Sequence, residues 1–382
     1  MSKPVIALFT GDPAGVGPEL VTKLLADPAT LAKADIILIA QKTEFANTAG
    51  VRLHQWRGWD AAEIARGVVS ESNGRYMLDG LTEGAYLVRD GKADAFCFAP
   101  LNKGALRAGG MTQEDEMRWF ADLLNYDGAC GELNVLEKLW TSRVTSHIAL
   151  RDVSDQLSAE KVAQAIVMIN LALRAAGNAK PRIAVCGLNP HNGDNGNYGD
   201  EEARIIEPGI RLAAEQGFDA DGPFPADTAF VRAIRTDGSG YDGVVTMFHD
   251  QGQIAMKLMG FERGVTVQGG LPIAITTPAH GTAYDIAGKG LANPQAMKNA
   301  FQLACQMAMG PKGVGAKGVD AKGVDANDTD AIPVKPDARR IRGLLKSPHA
   351  VALTVKQMDA AIDKHMRDKR VAALRRPKPS GQ

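Results

Sequence analysis

Three histidines stand inside or just beyond apolar runs: His147 in RVTSHIAL, His191 in PRIAVCGLNPHNGD and His249 in YDGVVTMFHDQG. Each run reads as a buried strand, and ligands of α/β folds gather outside the carboxyl ends of strands. Imidazoles delivered there from three strands can converge on one divalent cation that polarises an oxygen. Neutral imidazole suits Zn, Co, Ni or Fe, whereas Mg wants more oxygen ligands. Taken singly, each histidine reads more simply as a hydrogen-bonded interior or surface residue. Asp250 can orient its neighbour His249, add an oxygen ligand or cap the following helix. Lys257 lies about two turns beyond His249 if Gln251–Leu258 is helical. A lysine beside a cation gives up its proton more readily and can serve as acid or base, with Asp250 as the second candidate; otherwise Lys257 is a surface lysine.

Lys103, in APLNKG, stands at another strand end, where it can pair with a substrate carboxylate or phosphate or cap a loop. In TQEDE, Glu114 and Asp115 can accept hydrogen bonds from substrate hydroxyl or amino groups, and such acids disfavour phosphate nearby. The structural alternative has Thr112 capping a helix, with Asp115 three residues on. Thr10–Glu19, TGDPAGVGPE, reads as a strand–loop–helix junction that lets backbone amides approach an anion, or as a tight turn. Its spacing is neither GxGxxG nor a Walker A loop. Ala279–Pro294, AHGTAYDIAGKGLANP, is a polar loop of small residues that admits a flat or phosphorylated ligand, or a turn-rich connection.

Strands are expected at Pro4–Phe9, Asp35–Ala40, Ala95–Phe98, Val144–Leu150, Ile183–Leu188, Gly243–Phe248 and Ile273–Thr277. Helical patterns at Pro18–Leu25, Ser158–Ala175 and Glu201–Glu215 alternate with them. The alternation predicts an α/β protein with a largely parallel, doubly wound sheet, and 382 residues predict two lobes. Zero formal net charge and sparse aromatics argue against nucleic acid or an anionic membrane as partner. Four scattered cysteines predict reduced, buried thiols. The N-terminal apolar stretch is too short for a signal peptide, and no run approaches a membrane span, so a soluble, cytoplasmic protein is expected. The repeats after Gly310 cannot bury enough surface to order themselves. Residues 311–336 therefore read as a linker, and 337–382 as a basic, helical extension.

GDPAGVGPE, APLNKG, the VTSHIAL histidine, LNPHNGDNGNYGDEE, GPFPADTAF, HDQGQIAMKLMGF and HGTAYDIAGKG together resemble the 4-hydroxythreonine-4-phosphate dehydrogenase (PdxA-type) family of vitamin B6 biosynthesis. AHGTAYDIAGKGLANP is also similar to the cofactor loop of isopropylmalate dehydrogenase. The resemblance spans residues 1 to about 310. It implies a two-lobed α/β/α protomer like isocitrate and isopropylmalate dehydrogenases, with its cleft near a homodimer interface. The first lobe would be 1–128 plus 275–310, and the second, 129–274, would carry the histidines. It implies one divalent cation (Zn, Co, Ni, Mn or Mg) on His147, His191 and His249, with ligands shared between subunits. NAD or NADP would lie along His280, Gly281, Thr282, Asp285 and Gly288, and Lys257 would bind substrate.

Five positions depart from the family. Glu114 and Asp115 replace a His-Thr pair, Thr266 an asparagine and Ile275 an arginine, and Asn102 precedes Lys103 in place of a histidine. A bidentate arginine–anion contact is not reproduced by isoleucine. The expectation is therefore an NAD(P) dehydrogenase that oxidises a hydroxy acid, with decarboxylation and an altered substrate. That substrate would be an acid sugar, its phosphate or a cis-dihydrodiol carboxylate. The competing readings are a phosphate acyltransferase-like enzyme on this scaffold and a non-catalytic binding protein.

Overall fold

The computed structural model describes residues 3–41, 50–56, 64 and 66–310. Their strands are β1 (Val5–Phe9), β2 (Asp35–Ile39), β3 (Arg52–His54), β4 (Ala95–Phe98), β5 (Gly131–Leu136), β6 (Leu139–Arg143), β7 (Ile183–Cys186), β8 (Asp221–Phe224), β9 (Gly243–Thr246), β10 (Val265–Gly269) and β11 (Ile275–Pro278). They form one sheet in the order β3-β2-β1-β4-β11-β10-β5-β6-β9-β7-β8. The two flanks, β3 to β11 and β6 to β8, are parallel throughout. Between them, β11-β10, β10-β5 and β5-β6 pair antiparallel. Three reversals are an odd number, so the parallel blocks run in opposite directions. The last reversal is a two-residue hairpin at Glu137–Lys138, with Glu137 in the left-handed region at φ 56°.

Helices cover both faces of the sheet, and their starts follow local chemistry. Pro18 opens the helix Gly17–Leu25. Ser158 caps Ala159–Ala175 by accepting from the Lys161 amide at 3.3 Å. The two faces differ. On one, a single apolar core under Gly17–Leu25, Ala159–Ala175 and Gln295–Met309 takes residues from both flanks and the centre: Ile6, Leu133, Val267 and Val245. On the other, the core breaks in two. One part packs Phe9, Phe96 and Ile275 under the helix Glu71–Arg89, and the other packs Cys186 and Val244 under Ala226–Ala233. Strand alternation explains the break. Leu133, Val135, Val265 and Val267 join the continuous core, while the intervening Glu132, Asn134, Thr266 and Gln268 line an open cleft.

One expected strand is displaced. Residues 144–150 are not a strand; β6 precedes them and ends at Arg143. The Val144 and Thr145 amides still bond Thr246 and Met247 carbonyls, but β9 ends at Thr246 and turns into the helix His249–Gly260. The apolar run thus loses its partner before it can continue as a strand. Cys97, Cys186 and Cys305 are buried thiols, and burial pushes those of Cys97 and Cys186 up to about 12. Among the described residues, no helix is long and apolar enough to cross a membrane. The linker and basic extension expected at 311–382 lie outside the described residues.

Candidate active site

The cleft over the central strands measures about 290 Å³. Its floor is Glu132 and Asn134 from β5 with Thr266 and Gln268 from β10. Phe98, Lys103, Glu116, Thr277, His280 and Gly281 line one side, and His249, Gln253 and Lys257 line the other. A buried network braces the floor. Arg143 donates to Glu132 at 2.5 Å, to Asn134 at 2.8 Å and to Ser146 at 2.8 Å. Gln253 also donates to the Asn134 side-chain oxygen. At the far wall the Lys103 ammonium lies 3.7 Å from Glu116. Burial pushes the Glu116 carboxyl above its ordinary range, against the pull of Lys103.

Two of the three histidines meet on the β6–β9 side. The zipped 144–147 segment carries His147 to within 5.8 Å, centroid to centroid, of the His249 ring. His249 opens its helix, and its Nδ1 lies 2.7 Å from Asp250. The His147 Nδ1 lies 3.5 Å from Glu114 and 4.0 Å from Asp115. His191 is exposed on a separate turn in which residues 191–195 all have positive φ, from 43° to 76°. Asn, Gly and Asp tolerate that region. Buried Glu202 holds the turn, its carboxylate accepting from the Leu188 and Asn189 amides at 2.7 Å. Among the described residues, no group of three or more His, Cys, Asp or Glu side chains is placed to hold a metal. The described residues of one chain therefore bring two of the three imidazoles near each other, not the triad.

The glycine loop after β1 packs directly against the segment after β11. A side-chain carbon on Gly15 would come within 2.8 Å of Thr282, so only glycine fits there. The Val16 amide donates to the Thr282 carbonyl at 3.0 Å. Asp12, fully buried, accepts from the Tyr284 hydroxyl at 2.5 Å and the Ala14 amide at 2.9 Å. Burial raises the Asp12 carboxyl, and burial and Asp12 raise the Tyr284 hydroxyl. Glu19 accepts from the Ala292 amide at 2.8 Å, and Lys23 donates to the Ala292 carbonyl at 2.7 Å. His280 and Gly281 are left facing the cleft, and a side chain on Gly281 would meet nothing within 4 Å. The backbone at Gly281 therefore borders open space. Asp285 and Gly288 are exposed farther along the segment, with Gly288 at φ +74°.

Other expected residues fall in differing places. Asp115, not Thr112, is the helix cap, accepting from the Arg118 amide at 2.8 Å. The run TQEDE contains several capping residues, and the helix begins only at Glu116. Ile275 is fully buried in the apolar core rather than among the cleft-lining residues. Glu114 is exposed, and Asp250 is 72% exposed. Glu116, Glu132, Asn134, Gln253 and Gln268 were missed. For Glu132, Asn134 and Gln268 the findable signal is the alternation in GELNVL and VTVQG, where every second residue of a buried strand is polar, whereas Glu116 and Gln253 lie on helices and carry no such signal.

The model of the family described as pyridoxal phosphate biosynthetic protein PdxA matches residues 20–304. The chain belongs to the PdxA family. A Pseudomonas aeruginosa protein named "Putative 4-hydroxythreonine-4-phosphate dehydrogenase 2" is 51% identical over 330 residues, covering 80% of this chain and 97% of that one. The D-threonate 4-phosphate dehydrogenase of Pectobacterium atrosepticum is 35% identical over 81% of this chain and 100% of its own. The crystal structure of 4-hydroxythreonine-4-phosphate dehydrogenase from Klebsiella pneumoniae superposes with a TM-score of 0.71 at 32% identity, covering 80% of this chain and 98% of that one. Of the segments that carry the PdxA resemblance, APLNKG, HDQGQIAMKLMGF and HGTAYDIAGKG supply residues that line the cleft.

Proposed function

We propose that this chain is a divalent-metal-dependent NAD(P) dehydrogenase that oxidises the secondary alcohol of a hydroxy acid, with loss of carbon dioxide from the resulting keto acid. The observation that carries this reading is the His147–His249 pair beside an open cleft lined by Lys103, Lys257 and His280. When bound, the cation would lower the alcohol's affinity for its proton and the nicotinamide would take the hydride. His147 and His249 would hold the cation, with His191 completing the set when two copies associate. Apolar exposure supports such a dimer. Leu150 is 72% exposed in the segment just after His147, and Leu258 is 83% exposed on the helix that His249 opens.

Lys257 would bind substrate and transfer the proton, while Asp250 orients the His249 ring through Nδ1. Lys103 would hold a carboxylate or phosphate from the opposite wall. His280, Gly281, Thr282, Asp285 and Gly288 would flank the nucleotide, on a segment already fixed by Asp12 and Glu19. Two of the substrate positions have other occupations: Ile275 is in the core and Asp115 caps a helix. With Thr266 on the floor and Glu114 beside His147, the substrate would be an acid sugar or its phosphate, or a cis-dihydrodiol carboxylate. The test is nicotinamide absorbance with D-threonate 4-phosphate, 4-hydroxythreonine 4-phosphate, unphosphorylated sugar acids and cyclic diol carboxylates. Turnover abolished by chelation and restored by a divalent cation is the expected result. Full activity in metal-free buffer would overturn the reading.

A further inference from the structure

The floor of the cleft contains one polar group that the fold does not use. Glu132 is occupied by Arg143, and the Asn134 oxygen is occupied by Arg143 and Gln253. The Asn134 amide reaches the Thr266 hydroxyl at 3.4 Å. Gln268 is the cross-strand partner of Glu132 and is only 4% exposed, yet its side-chain oxygen has no hydrogen-bond partner. Five buried side-chain atoms are unpartnered among the described residues, and this is the one whose residue lines the cleft. A buried acceptor left unpaired is unfavourable, and folding offers no return for it here. On the same face, the neighbouring cores fill with isoleucine, phenylalanine and valine, so packing alone does not call for an amide at this position.

We propose that Gln268 is a specificity-determining residue whose carboxamide accepts a hydrogen bond from a substrate hydroxyl. That hydroxyl would be borne by the carbon between the carboxylate and the reacting alcohol. The inference rests on the hydroxy-acid dehydrogenase reading above and deepens it. The terminal torsion of glutamine is soft and two-fold, so the amide turns at little cost to present its oxygen to the cleft. A hydroxyl suits this place because it donates to the amide oxygen and can accept from the amide nitrogen. A carboxylate or dianionic phosphate oxygen has no proton to donate to the Gln268 oxygen, and beside Gln268 it would face Glu132, whose cation Arg143 is already engaged. Those groups are left to the Lys103 and Lys257 ends of the cleft. The floor therefore selects the polyhydroxy part of the substrate.

The experiment compares wild type with Gln268→Met and Gln268→Leu. The substrates are D-threonate 4-phosphate and the same acid lacking the hydroxyl next to its carboxylate. Wild type should prefer the hydroxylated acid by about tenfold or more in kcat/KM. In both variants that preference should collapse toward unity, mainly through a higher KM for the hydroxylated acid. The melting temperature of the substrate-free variants should be unchanged or higher, because an unpaired acceptor has been removed. A preference that survives in the variants overturns the assignment. So does an equal loss of activity on both acids accompanied by a fall in melting temperature, which marks a structural role. Wild type inactive on these two acids alone overturns this assignment, and wild type inactive on every acid of the screen above, with either nucleotide, overturns the parent reading with it.

Discussion

On the glycine-loop rim of the cleft, the charged and polar groups find their partners within the chain: Glu19 and Lys23 on the backbone of 290–292, Asp12 on Tyr284 and Ala14. On the histidine rim they do so only in part. His147 and His249 lie close, with no third metal-binding side chain grouped with them among the described residues, His191 stands exposed on a left-handed turn, and Leu150 and Leu258 expose apolar surface. If this rim holds the nucleotide as proposed, it is preorganised, so binding energy need not be diverted to ordering the loop. The histidine rim, on the function proposed above, would be completed by an ion and a second copy. The first rim should therefore fail by losing stability and nucleotide affinity, and the second by losing chemistry alone.

The largest effect should separate the rims most cleanly. His249→Ala removes a side chain that is 36% exposed, and surface substitutions commonly shift stability by about 0.5 kcal/mol or less. Metal binding, read by calorimetry, should be lost, and kcat should fall by about 10²–10³-fold or more, while the urea midpoint barely moves. A large drop in that midpoint would erase the contrast between the rims.

The same contrast governs how much the sequence disclosed. In the parallel flanks β1, β2, β4, β7 and β9 were readable because they are largely apolar runs, as with IALF before GPELVTKLL, whereas β3 (RLH), β6 (LWTSR) and β8 (DGPF) are short or mixed in polarity and were not. The glycine loop and the histidines were readable because their residue types are unusual at strand ends. The central antiparallel strands were not, since GELNVL and VTVQG are half polar and resemble loops until the sheet pairs them. With them went Glu132, Gln268 and the Arg143 network, whose members come together across strands and not along the chain. The displaced 144–150 segment has the same origin: its end is set by where β9 stops, a fact of pairing.

A middle-sized effect tests the preorganised rim. Tyr284→Phe deletes the donor to buried Asp12 without changing shape. The cost should be about 1–2 kcal/mol in urea unfolding at neutral pH, with a several-fold higher KM for the nucleotide and unchanged metal affinity. The difference from wild type should narrow on acidification, because a protonated Asp12 has less need of that donor. Equal loss at acid and neutral pH would show that the bond serves packing alone.

The smallest effect lies where the rims face each other, at Glu116. Its carboxyl is raised by burial, so the folded state holds the proton more tightly than the unfolded chain. Stability from this group is therefore present below the ordinary carboxylate range and is lost as pH rises through the raised value. Glu116→Gln removes that proton exchange. Its urea midpoint, followed across mildly acidic pH, should decline less steeply than that of wild type, and the two curves should draw together toward acid. Lys103, 51% exposed and 3.7 Å away, stays hydrated and contributes little to stability when its partner is neutral. Parallel curves would mean that Glu116 ionises as freely folded as unfolded, and that this wall of the cleft is wetter than its burial suggests.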